Sequence, residues 1–145
     1  MKVVDANVLL YAVNPDTRHH VASRRWLDAA LAGADTVGFT WLAVIAFVRI
    51  ATREGVFPHP LTTDEALDQV KAWLDAPGAR IVEPTVAHAG VLGRLLRQVG
   101  SGGNLSNDAH LAAIAIEHRA GVVTFDADFT RFDGLSSHRP DDVMN

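Results

Sequence analysis

Short apolar runs and helix-length amphipathic segments take turns along all 145 residues, and this alternation narrows the accessible folds more than any other feature. Lys2 to Asp5 reads as a short buried strand. The spacing of Val21, Trp26, Leu27 and Leu31 predicts a helix from about Thr17 to Leu31, with Gly33 as its stop. A second strand is expected over Thr36 to Thr40. Trp41 to Thr52 follows as a helix apolar on nearly every side, so it is either buried on more than one face or partly committed to a subunit contact. Thr62-Thr63-Asp64-Glu65 offers a capping box for a helix running to about Leu74. Arg80 to Glu83 is a strand candidate, and Val86 to Val99 is an amphipathic helix. Ser106 is placed to cap a helix from Asn107 to about His118, and Gly121 to Asp126 is the final strand. Interleaving of this kind implies a three-layer α/β/α domain with a central, mostly parallel sheet. Its strand order is not contained in the pattern.

The length suits one domain, and a composition of 48% hydrophobic and 21% charged residues is globular. With no cysteine, disulfides and zinc-thiolate sites are excluded. A charge arrives at Lys2 and Asp5 before any signal-like apolar stretch develops, and no run is long enough to span a bilayer, so the chain is expected to be soluble and cytoplasmic. A net charge of −4 argues against simple electrostatic capture of nucleic acid. Only Lys2 and Lys71 among the 13 cations are lysines, and arginine's planar fork suits phosphate. A metal held in an acidic site would supply the missing positive charge locally.

Carboxylates are placed where such a site would be built. Asp5 ends the first apolar run, Asp126 and Asp128 end the last, and Asp108 opens the Ala-rich helix just after the loop Gly100 to Asn104. In α/β sheets the carboxyl ends of strands gather at one edge, where ligands bind. Several acids brought together there need a cation, and oxygen-only ligands suit a hard divalent ion. Asp5-Ala6-Asn7 adds a second oxygen-bearing side chain at the first strand end, while Thr40 and Thr124, each at a strand end, are expected to hydrogen-bond to the acids and orient them. Asp128 is expected to assist through water or by capping the following turn. The scattered histidines lack ligand spacing, and His110, beside Asp108, reads as packing or solvent-facing. Trp26, Trp41 and Trp73 fall on apolar helix faces and are expected in the core.

Four segments together resemble the PIN-domain ribonucleases, specifically the VapC toxins of prokaryotic toxin-antitoxin pairs. They are the apolar-Asp-x-Asn start, the Thr40-Trp41-led helix ending in Phe47-x-Arg49, the run Gly103 to Ala113, and Val122 to Phe129. Trp73-Leu74-Asp75-Ala76-Pro77 and Phe132-Asp133-Gly134-Leu135 are similar to the mycobacterial branch. The resemblance implies a nuclease domain over 1–135 followed by a C-terminal tail, 136–145. It implies Asp5, Asp108 and Asp126 as ligands of Mg²⁺ or Mn²⁺, and Asp128 as accessory. Asn7, Thr40, Arg49, Asn104 and Thr124 are the expected substrate or supporting residues. It further implies cleavage of structured RNA such as tRNA or rRNA, a homodimer, and a VapB-type antitoxin that completes a heterotetramer or larger assembly.

One position departs from the resemblance. Most PIN nucleases carry a glutamate in the second long helix shortly before its arginine, and aligning on Thr40 and Arg49 puts Ala46 there; that helix holds no acid. The alternative reading is therefore a degenerate PIN domain that binds RNA or antitoxin without cutting. A phospho-acceptor receiver domain fits poorly, because neither Lys2 nor Lys71 lies at a late strand end. A phosphohydrolase with an aspartyl nucleophile fits less well still, since Asn7 stands where its second aspartate belongs.

Overall fold

A computed structural model describes residues 1–143. Five parallel strands form one sheet: β1 (Lys2–Val4), β2 (Val37–Phe39), β3 (Ala79–Ile81), β4 (Gly121–Val123) and β5 (Ser137–His138), in spatial order β3-β2-β1-β4-β5. The connecting helices are α1 (Ala6–Val13), α2 (His20–Ala29), α3 (Trp41–Ala51), α4 (Thr63–Leu74), α5 (His88–Val99) and α6 (Leu105–Glu117). Strand alternation divides the core between the two faces. Val4 and Val123 pack with residues of α1 to α4, including Leu9, Trp26, Phe47 and Trp73. Val3 and Val122 pack with Leu95 of α5, Leu111 and Ile114 of α6, and Phe129. The layers are therefore α/β/α, as the alternation requires.

The order of strands positions the site. From β1 the chain moves outward to β2 and β3, then returns through α5 and α6 to lay β4 on the opposite side of β1. The direction of winding thus reverses between β1 and β4, and at such a switch point the connections leaving neighbouring strands part to open a crevice at the carboxyl edge. Asp5 and Asp126 stand just beyond the ends of those two strands, and the Asp5 N–H donates to the Val123 carbonyl at 3.0 Å.

Several expectations are revised. Helix α1 begins directly after Asp5, whereas the sequence pattern places the first helix only near Thr17; seven of its eight residues are aliphatic or aromatic, so no polar face marks its period. Thr62 and Glu65 form the expected capping box. Ser106 does not cap α6: the helix starts two residues earlier than expected, at Leu105, and the Ser106 hydroxyl donates back to the Ser101 carbonyl at 3.0 Å. Trp26 and Trp73 are buried, but Trp41 is 47% exposed, and Ile45 on the next turn of α3 is 62% exposed. The segment read as a tail contributes β5, whose register on β4 pairs Val122 with Ser137. The last two positions of that segment, Met144 and Asn145, lie outside the described residues. Among the described residues, no helix is long and apolar enough to cross a membrane.

Candidate functional site

Asp5 is the N-cap of α1, and its Oδ1 accepts from the Ala6 N–H at 2.8 Å. Its Oδ2 accepts from the Thr124 hydroxyl at 2.7 Å and from Asn7 Nδ2 at 3.2 Å. Thr124 Oγ1 in turn accepts from Asn7 Nδ2 at 3.2 Å and from the Asp126 N–H at 2.9 Å, and Asn7 Oδ1 accepts from the Phe125 N–H at 3.3 Å. One threonine and one asparagine therefore knit the end of β1 to the end of β4. Thr124 is 3% exposed, so this knot is largely removed from water.

Asp126 caps the 3-10 turn Ala127–Arg131, its Oδ1 accepting from the Asp128 N–H at 2.9 Å. The expectation that Asp128 caps this turn is thus reversed: Asp126 is the cap, and its bond brings Asp128 alongside. Asp108 projects from the first turn of α6 on the opposite wall. Carboxylate oxygens of Asp108, Asp126 and Asp128 all lie within 4.8 Å of one another, so a single ion of the size of Mg²⁺ or Mn²⁺ could touch this all-oxygen set. Asp5 adjoins the three rather than standing within them, its carboxylate already engaged by Thr124, Asn7 and Ala6.

The charges oppose one another. Burial, together with the nearby Asp126, Asp5 and Asp128, raises the Asp108 carboxyl from its ordinary 3.8 to about 6. Burial also raises Asp5, outweighing the hydrogen bonds from Thr124 and Ala6, and Asp126 adds to the rise. A cation is the ligand that relieves both.

Asp5, Asn7, Asp108 and Asp126 border one cavity of about 570 Å³ with Arg49 and Asn104. Ala46 lies on its α3 wall, between Leu42 and Arg49, so the position without a carboxylate does face the acids. Thr40 is elsewhere in function: its Oγ1 accepts from the Ala43 N–H at 3.2 Å as the N-cap of α3. The expectation that Thr40 orients the acids is corrected, because its side chain is spent on holding the helix start.

Sequence reading missed one polar chain. The buried Glu117 carboxylate accepts from the Thr85 N–H and hydroxyl, both at 2.8 Å, and pairs with His88 Nδ1 at 2.6 Å. His88 Nε2 meets His110 Nδ1 at 2.9 Å. His110 is thereby a link between α5 and α6. The signal is a separation of 29 residues between His88 and Glu117, which no local pattern connects.

A parallel sheet with carboxylates clustered at its switch point defines the class, and comparison with known proteins agrees: the PIN domain profile matches residues 2–135. The chain is 59% identical over 140 residues to Ribonuclease VapC37 of Mycobacterium tuberculosis, covering 97% of each. It belongs to the PIN-domain family, among the VapC ribonucleases. Two solved structures share the fold. The VapBC2 complex from Rickettsia felis bound to a promoter DNA fragment superimposes with a TM-score of 0.69 at 20% identity, covering 95% of this chain and 97% of that one. The sarcin-ricin loop cleaving toxin VapC20 of M. tuberculosis gives 0.65 at 15% identity, with 94% and 99% covered.

Proposed function

We propose that this protein is the toxin of a VapBC pair, an endoribonuclease that hydrolyses phosphodiester bonds of structured RNA with Mg²⁺ or Mn²⁺ and so stops translation. The observation that carries this is the convergence of Asp108, Asp126 and Asp128 within 4.8 Å at the switch point of the sheet. When bound, a divalent cation there supplies the positive charge that the phosphoryl oxygens need as negative charge develops on them. The chain's own residues do the positioning. Asp108, Asp126 and Asp128 hold the ion, and Asp5 adds a fourth negative charge whose direction Thr124 and Asn7 fix. Arg49, on the α3 wall of the cavity, presents donors to a substrate phosphate. Asn104 borders the same space at the start of α6.

Targets in tRNA or rRNA, a cytoplasmic site of action and a VapB-type antitoxin follow from family membership and from relatives solved as VapBC complexes. The antitoxin's C-terminal segment blocks the site by inserting an arginine among the acids. A homodimer, and a heterotetramer or larger assembly with antitoxin, is supported by the apolar side chains of Trp41 and Ile45 standing in water on α3.

The second reading is a PIN domain that binds without cutting, and Ala46 on the cavity wall favours it, because a carboxylate is missing where a second cation would be held. One experiment separates the two. Purified total bacterial RNA is incubated with wild type, Asp108→Asn and Ala46→Glu, with Mg²⁺ or Mn²⁺ and with chelator. Discrete products that need the metal and disappear in Asp108→Asn are expected. An inert wild type beside an active Ala46→Glu would make this chain the binder.

A further inference from the structure

A second cavity, of about 210 Å³, meets the acid cavity at Asp126, which lines both; Thr124, Phe125, Thr130 and Arg139 border it. The Arg139 guanidinium carbon lies 4.9 Å above the centre of the Phe125 ring. The His19 ring stacks on Phe125 at 4.2 Å and 23°, Tyr11 meets it edge-on at 5.3 Å, and Arg18 Nε approaches His19 Nε2 at 3.4 Å. Three segments distant in sequence thus build one cationic, aromatic cluster, and Asn7 roots it in the site by holding the Phe125 N–H. Asp141 lies 3.7 Å from Arg139 Nε, with both side chains about half exposed, and Asp142 also borders the cavity. An exposed pair this long is weak and yields readily to a competing anion.

A protein with a net charge of −4 must meet a polyanion at local concentrations of cations, and here one flanks the acids across Asp126 while Arg49 stands in the other cavity. We infer that Arg139, set over Phe125 with Arg18 and His19 beside the same ring, binds a backbone phosphate of the RNA strand next to the bond that is cut. The planar fork on an aromatic face is preorganised, so little rotamer freedom is lost when it engages phosphate. This deepens the ribonuclease reading and rests on it.

The test uses bulk tRNA as the probe. Cleavage by the full chain with Mg²⁺ gives KM and kcat, and anisotropy of labelled tRNA in an Asp108→Asn background gives binding across a salt series. Arg139→Ala is expected to raise both KM and Kd about 5- to 10-fold with kcat within about twofold, and to flatten the slope of log K against log salt by about 0.7, one phosphate contact. Arg139→Lys should restore the slope, and Arg18→Ala should lose less than Arg139→Ala. Unchanged affinity and slope in a folded Arg139→Ala would overturn the inference. So would equal losses in Arg139→Ala and Arg139→Lys without a change of slope, the mark of a structural role. Weakened binding of an antitoxin peptide with RNA binding untouched would assign the cluster to the protein partner instead. If wild type neither binds nor cuts tRNA, nor ribosomal RNA assayed in parallel, the ribonuclease reading itself fails; wild-type cleavage that Arg139→Ala leaves unaltered sinks the phosphate contact alone.

Discussion

Asp108 concentrates the electrostatic cost of the site. Its folded value of about 6 stands above the ordinary 3.8, so the fold favours the protonated form. The stability it contributes is therefore present at low pH and is lost as pH rises through about 6. In thermal melts with chelator, wild type is expected to lose stability over that window relative to Asp108→Asn, which lacks the titration. Added Mg²⁺ should raise the wild-type Tm above pH 6 and leave Asp108→Asn nearly unmoved; equal metal shifts in both would remove Asp108 from the ligand set. Glu117 behaves oppositely. Burial raises it, but the hydrogen bonds from Thr85 and His88 and the His88 charge outweigh burial and hold it below the usual glutamate range. Its contribution is present above the ordinary value and is lost as pH falls through the depressed one. Its side chain is 1% exposed while Thr85 stays open to water, so Glu117→Ala should cost about 1.5 kcal/mol in denaturant melts, the worth of a charged hydrogen-bond set whose partners can be rehydrated. A cost within the scatter of surface substitutions would show that the chain from Thr85 to His110 is incidental.

At the scale of elements, the helices whose ends carry their own signals were legible. Thr62 and Glu65 announce α4, and a Thr62→Ala change should cost about 1 kcal/mol of unfolding free energy by removing that cap. Helix α1 was not legible, because a short helix buried on most sides has no polar face to set a period. The start of α6 was misread at Ser106 because a hydroxyl near a helix start has several carbonyls and N–H groups to choose among. Between α4 and β3, Gly78 passes so close to the chain at Ala30 and Leu31 that an added Cβ would collide with the Ala30 carbonyl oxygen. Gly78→Ala is accordingly expected to destabilise by about 2 kcal/mol. A neutral Gly78→Ala in chemical denaturation would mean that the α2 end moves aside freely. The close approach that makes glycine necessary at Gly78 belongs to another segment, so no local pattern shows it.

For the whole molecule, one exposed apolar pair is on α3. Trp41 and Ile45 expose apolar area on a helix that also packs on the core and walls the acid cavity, and in the homodimer proposed above a second copy would remove that area from water. Trp41→Asp with Ile45→Asp is expected to convert a dimer into a folded monomer by light scattering, with the circular dichroism spectrum retained. A mass unaltered by the double substitution would move the subunit contact to another face.

The alternation of apolar runs and amphipathic segments was sufficient for the layered α/β/α class, because period and length are local properties of a chain. The positions of Asp5, Asp108, Asp126 and Asp128 at strand ends and a helix start were legible for the same reason. Which of those acids share a single point was decided by the order β3-β2-β1-β4-β5, which sets β4 beside β1 and turns 121 residues of separation between Asp5 and Asp126 into neighbouring strand ends. Pairing across the sheet is a long-range choice, governed by which hydrophobic faces bury each other. Thr124 was legible as a partner of the acids, but that Asp5 is the acid it meets, that Asp128 closes on Asp108 and Asp126, and that Arg139 and His19 both pack on Phe125 all follow from that choice and have no trace in local pattern.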